Sequence, residues 1–315
     1  MNSVCDIPQD PSEREEGNRS AFGALSGSYD TQINPLLTLE ERYLDRVLPR
    51  IAGLGVLDAG CGSGRWLSKL APLEPGTLIG IDPSDEMLRV ASQKNIAGAE
   101  LIRCRCEATP FRAQRFELIL SSFVMSYIYD VLRMAREIDR IARVGCTLFI
   151  SDMHPETQRR LGWKRAFHHG MGEIRLEPFM HDVHEIIAAF RELGWTICAA
   201  IEPEFGAAEK QLFERAGRLN NFLDAENHPA IYILHLQKAG SAVHNLPREG
   251  KTTLRGARCA LDVTESVHAS LRLVEGRVSQ ILGNRSEVPD PEIWSGSSRR
   301  QTDPLPQSEE LGDAS

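Results

Sequence analysis

The chain lacks the marks of several large protein classes. It has no apolar run near the roughly 18–20 residues a membrane-crossing helix needs. Its opening, Met1-Asn2-Ser3-Val4-Cys5-Asp6, has no basic stretch leading into an apolar one, so no secretory signal is expected and the chain reads as cytoplasmic. Its seven cysteines, at 5, 61, 104, 106, 146, 198 and 259, are odd in number and contain no C-x-x-C pair. That pattern supports neither a disulfide framework nor a zinc site, and reduced core thiols are expected. Basic clusters are also missing: 36 Lys and Arg stand against 44 Asp and Glu, a net charge of −8. Such a balance argues against a broad phosphate-binding surface, so no nucleic-acid partner is expected. What remains, 315 residues with 42% hydrophobic content, is enough for one large α/β domain with extensions.

The most informative segment is Leu54-Gly-Val-Leu-Asp-Ala-Gly-Cys-Gly-Ser-Gly64. Leu54, Val56 and Leu57 suit a buried parallel strand. Asp58 follows, and then Gly60, Gly62 and Gly64 at alternate positions allow a sharp bend on which a ligand can lie against bare backbone. A helix beginning at Arg65 would present free N–H groups to a polar ligand. A nicotinamide or flavin fingerprint needs a third glycine where Arg65 stands, and a P-loop would end in Gly-Lys-Ser/Thr, which this segment does not.

The pattern D-x-G-x-G-x-G, starting at Asp58, resembles the first motif of class I S-adenosylmethionine-dependent methyltransferases, of the small-molecule kind that includes ubiquinone and menaquinone biosynthesis enzymes. A second strand, Leu78-Ile79-Gly80-Ile81, ends at Asp82, placed to accept ribose hydroxyls from the tip of the neighbouring strand. Pro83-Ser84-Asp85-Glu86-Met87 opens the next helix with acidic groups in its first turn. The resemblance implies S-adenosyl-L-methionine as methyl donor, with Asp58, Gly60, Cys61, Gly62, Gly64, Asp82 and Pro83 around it and Met87 near the adenine. Cys106-Glu107-Ala108-Thr109-Pro110-Phe111 is similar to the family's third motif, with Cys in place of Gly and Glu in place of Asp, so Glu107 and Ala108 are candidate adenine contacts. The strand Phe116–Phe123 resembles the family's fourth, with Ser121 near its end beside the sulfonium. Ser126 and Tyr127 stand where relatives usually carry histidine.

The wider pattern predicts a polar, disordered tail over 1–20 and a methyltransferase domain over 21–238. An amphipathic helix is expected from Leu36 to Ile51, preceded by a segment, around Tyr29, that covers the donor. Strands and helices alternate to about 237, which predicts an α/β fold: a Rossmann-like three-layer αβα sandwich on a seven-stranded, mostly parallel sheet whose last strand is antiparallel. The stretch 155–180 is long for a connection and carries Trp163, Phe167, His168, His169 and Phe179, as a lid or binding surface would. Residues 239–284 read as a small β-rich appendage, similar around Leu254–Gly283 to the opening β-segment of amidohydrolases but without their H-x-H motif. Residues 285–315 read as a disordered tail.

No N-P-P-Y/F follows the fourth strand and no Pro-Cys occurs, so neither a nucleobase amine nor a cytosine-ring acceptor is indicated. The expectation is a small-molecule acceptor methylated on O or C rather than N, taken into a half-closed apolar pocket. A base is optional, because orienting nucleophile and methyl group does most of the task. Asp152, His154, His168, His169 and His181 are base candidates, with His154 and His181 foremost as catalytic residues. A non-catalytic donor-binding scaffold and an RNA or protein methyltransferase are the alternatives.

Overall fold

The computed structural model of the chain describes residues 10–169 and 172–240. Nine strands are present there: β1 (Gly55–Ala59), β2 (Thr77–Asp82), β3 (Ala99–Arg103), β4 (Phe116–Ser122), β5 (Ala142–Met153), β6 (Arg165–His169), β7 (Gly172–Leu176), β8 (Trp195–Ile201) and β9 (Ile231–Lys238). Seven form one sheet in the order β3-β2-β1-β4-β5-β9-β8. The first five pair in parallel, whereas β9 runs antiparallel to both β5 and β8. The remaining two, β6 and β7, form a separate antiparallel hairpin.

Period-two alternation divides the central strands between two cores. Leu57, Ile79, Ile119 and Leu148 pack on one face, against Met134 and Ile138 of α5 (Val131–Ile141) and Ile186 and Phe190 of α7 (Val183–Glu192). Val56, Leu78 and Leu118 point to the other face, against Leu39 and Leu44 of α2 (Pro35–Val47) and Trp66 and Leu67 of α3 (Arg65–Leu70). This is the expected three-layer αβα sandwich. The expected α2 stops early, at Val47, although Ile51 remains buried beyond it. Residues near 209–223 form two short helices, α8 (Ala207–Arg215) and α9 (Leu219–Ala225).

Local chemistry sets the helix starts. Asn34 accepts from the Leu36 amide ahead of Pro35, and Ser84 accepts from the Met87 amide at the start of α4 (Asp85–Gln93). Asp182 and Glu185 complete the expected capping box of α7.

One expectation fails clearly. Residues 11–20 are not a disordered tail: Pro11–Leu25 form helix α1, begun by Asp10 accepting from the Ser12 amide at 2.9 Å. Apolar patterning could not reveal it, because polar bonds to distant residues hold it in place. Arg14 donates through Nε to the Glu177 carbonyl at 2.9 Å and lies 4.5 Å from the Phe179 ring centre. Asn18 both donates to the Glu177 carbonyl, at 2.8 Å, and accepts from its amide, at 2.7 Å. The β-rich appendage expected over 239–284 (from 241 on), the tail 285–315, residues 1–9 and the side chains of His168 and His169 lie outside the described residues.

Candidate active site

The chain runs from β1 outward through β2 and β3, then returns to the other side of β1 with β4 and β5. Between β1 and β4 the winding direction reverses, and loops leaving the strands' carboxyl ends splay apart to leave a crevice. A cavity of about 390 Å³ lies there, within the range of small-molecule sites. Gly60, Cys61 and Gly62 form its floor, with Asp58 beneath and Asp82, Pro83 and Met87 along one side.

The glycine bend is a close fit. Gly60 and Cys61 both donate from their amides to the Ile81 carbonyl, each at 2.8 Å, which ties the bend to β2. Gly60 has φ +83°, and a Cβ there would sit 2.3 Å from Val124 Cγ2. Gly62, at φ +52°, has nothing within 4 Å of such an atom, so its backbone is bare. Neither position tolerates a side chain without strain.

The carboxylates are arranged for different tasks. Asp82 Oδ2 accepts from the Gly62 amide and Oδ1 from the Ser84 amide, both at 2.9 Å. Each oxygen keeps acceptor capacity for a further donor. Confinement pushes the Asp82 carboxyl up to about 6. Asp58 is buried, its Oδ2 has no hydrogen-bond partner, and burial raises it to about 7. Glu107 lines the cavity paired with Arg105 at 2.6 Å, and Arg105 reaches Glu15 of α1 at 2.7 Å. Helix α1 thereby roofs the cavity, contributing Glu15, Arg19 and Phe22 to its lining.

A second cavity, of about 780 Å³, adjoins the first. Both are lined by Phe22, Tyr29, Leu37, Phe123 and Tyr127. Phe22 meets Tyr127 edge-on at 4.9 Å, and Tyr29 lies 5.8 Å from Phe167 of the hairpin. Trp163, Phe205 and Phe213 continue the aromatic wall. At the junction, buried Arg165 donates to Ser126 Oγ at 2.7 Å and Tyr127 Oη at 3.2 Å, and also pairs with buried Asp152. Enclosure raises the Tyr127 phenol above the ordinary tyrosine range.

Several expected site residues stand apart from these cavities. Gly64, at φ +83°, starts α3, and a Cβ there would come 3.0 Å from Ile96 and 3.2 Å from Ala91, so it serves packing. Ala108 is exposed in the turn after β3 and does not line the cavity. Ser121 is fully buried below it, and the lining residue is its neighbour Ser122. His154 and His181 line neither large cavity. The His154 Nε2 faces Glu202 at 3.4 Å, and His181 Nε2 lies 2.6 Å from the Ile128 carbonyl. Asp152 is committed to Arg165 and to the Ser126 and Met153 amides.

A family model described as a methyltransferase domain matches residues 57–150. The chain is 26% identical over 219 residues to a demethylmenaquinone methyltransferase of Lactococcus lactis, covering 64% of this chain and 82% of that one. It is 29% identical over 165 residues to another from Listeria welshimeri, covering 49% and 69%. Among solved structures, an S-adenosylmethionine-dependent methyltransferase from Mesorhizobium loti shares the fold, with a TM-score of 0.52 and 19% identity over 64% of this chain and 98% of that one. Over residues 57–150 the chain thus matches a methyltransferase domain, and its fold is the one S-adenosylmethionine-dependent methyltransferases adopt.

The chain takes more of its cavity lining from α1 and the β4–α5 connection than its motifs disclose. Phe22, Arg19 and Val124 carry no signature at all, and Phe123 only that of the strand it ends. Tyr127 had a faint one, as the residue standing in place of a histidine.

Proposed function

We propose that the smaller cavity holds S-adenosylmethionine and that the larger one takes a small-molecule acceptor, methylated on oxygen or carbon. The observation that carries this reading is the shared wall: five residues line both cavities, so donor and acceptor would meet across Tyr127 and Phe123. The residues fit the donor. Bare backbone at Gly62 allows close approach of its amino-acid end, and Asp82 has lone pairs to spare for two ribose hydroxyls. Met87 and Glu107 lie where the adenine would extend, and unpartnered Asp58 Oδ2 awaits a donor group.

Bound there, S-adenosylmethionine supplies a methyl group on a positive sulfur, and the bonding pair stays on sulfur when the methyl group leaves. The chain's own part is alignment and exclusion of water. Phe22 and α1 close the donor side, while Phe167 and Trp163 close the acceptor side. Among the described lining residues of both cavities there is no imidazole, and Tyr127 is a poor base because its phenol is raised. The arrangement therefore favours an electron-rich carbon or an oxygen that ionises unaided, as in phenols and enols. The demethylmenaquinone methyltransferases among the relatives are named for a quinone-type substrate, in keeping with an aromatic acceptor. Calorimetry with S-adenosylhomocysteine tests the donor half, and mass spectrometry of a phenol and quinol panel after incubation tests the acceptor half. Heat without any methylated product would leave a donor-binding protein and sink the transferase reading of the second cavity.

A further inference from the structure

Charge distribution around the larger cavity points to the kind of acceptor it takes. The whole chain carries a net charge of −8. The described lining of this cavity has the opposite balance. Arg160, Lys164, Arg165 and Arg218 face a single carboxylate, Asp224. Arg165 is neutralised by Asp152. Arg160, Lys164 and Arg218 form no ion pair with any described residue, and neither does Asp224. All three cations are exposed: Arg160 lies in α6 (Pro155–Leu161), Lys164 just before β6, and Arg218 between α8 and α9. None of them lines the donor cavity.

We propose that the acceptor is an aromatic acid. Its ring system lies against Trp163, Phe167 and Phe205, and a carboxylate at its outer end is held by Arg160, Lys164 and Arg218. The inference rests on the reading of this cavity as the acceptor site. Its physical basis is local. Unpaired cations lining an aromatic-walled cleft of an acidic protein create a local positive potential that favours an anion there. Guanidinium groups match carboxylate geometry better than ammonium groups do, and two of the three cations are arginine. Aromatic walls supply affinity for the ring without fixing its polarity. An acid held at its outer end would leave the opposite edge of the ring facing Tyr127 and the donor, which orients the acceptor as well as selecting it.

Two probes of the same ring separate the possibilities: 2-naphthoate, which carries the carboxylate, and 2-naphthamide, which does not. Each is titrated calorimetrically into the full chain saturated with S-adenosylhomocysteine. The naphthoate is expected to bind at least tenfold more tightly than the amide, with the difference shrinking as salt is raised. In the Arg160→Gln/Arg218→Gln double variant, most of that difference should vanish while affinities for naphthamide and S-adenosylhomocysteine stay unchanged. Equal binding of the two probes to the unaltered chain overturns the proposal and leaves the acceptor cavity standing. A preference for naphthoate that survives in the double variant also overturns it. Binding of neither probe, with S-adenosylhomocysteine still bound, removes the acceptor cavity and the proposal together.

Discussion

The two halves of the crevice, proposed for donor and acceptor, are built by opposite means. The donor half rests on the carboxyl ends of β1 and β2, where Gly60 and Cys61 amides bind the Ile81 carbonyl and Asp82 binds the Gly62 and Ser84 amides. Its geometry is mostly backbone. The acceptor half is made of side chains from α6, the β6–β7 hairpin and the α8–α9 region, locked at its inner end by the Arg165–Asp152 pair. A backbone cradle demands particular residues at particular spacings, whereas a wall of side chains can be assembled from many sequences. The first kind of site therefore leaves a motif, and the second leaves little more than a bias toward aromatic residues.

Removing the lock should have the largest effect. Arg165→Met leaves Asp152 charged, buried and without its guanidinium, and breaking such a pair costs about 3–5 kcal/mol. Denaturant melts should show that loss. Retention of full stability would mean the acceptor wall does not depend on the pair. On the donor side, Asp82→Ala should weaken S-adenosylhomocysteine binding by about 1.5–3 kcal/mol, the usual worth of charge-assisted hydrogen bonds. An unchanged dissociation constant in calorimetry would take Asp82 out of the donor site.

Titration sharpens the same contrast. With its carboxyl near 6, Asp82 is mostly ionised at pH 7 and mostly protonated at pH 5. Donor affinity should then fall about tenfold at pH 5, a change that Asp82→Asn removes. Stability of the unliganded protein should respond in the opposite sense. Asp58 and Asp82 bind protons more tightly folded than unfolded, so their contribution is complete below about pH 4, the unfolded carboxylate range, and is lost as pH rises through about 6 to 7. Parallel rather than opposed trends would argue that other groups dominate.

Helix α1 bridges the two halves. Asn18→Ala removes two hydrogen bonds to Glu177, and each is worth about 0.5–1.5 kcal/mol. Faster amide exchange over 11–25 and a several-fold weaker donor affinity should follow. Unaltered exchange would show that Arg14 and Glu15 suffice to hold the roof. The smallest effects should come from His154→Gln and His181→Gln, because neither ring lines either cavity. Once an acceptor is in hand, each should leave turnover within about threefold of the unaltered enzyme, under 1 kcal/mol of barrier. A collapse of turnover at unchanged donor affinity would restore one of them as a base.

Local sequence sufficed for the sheet strands and the glycine bend, since alternation, caps and bare backbone act over a few residues. It fell short at α1, whose polar partners lie about 160 residues away at Glu177, and at Gly64, Ala108 and Ser121, which motif position nominated but whose surroundings serve packing, turn and core. Histidines nominated by chemistry alone turned out to face Glu202 and a backbone carbonyl.

By itself, then, the order of residues determined the strand–bend–helix core and the acid at the end of β2, because each depends on neighbours a few positions apart. Only the tertiary structure decided what roofs the smaller cavity, and which aromatic rings and cations line the larger one. Those features exist where separate segments meet, and no local pattern specifies a meeting.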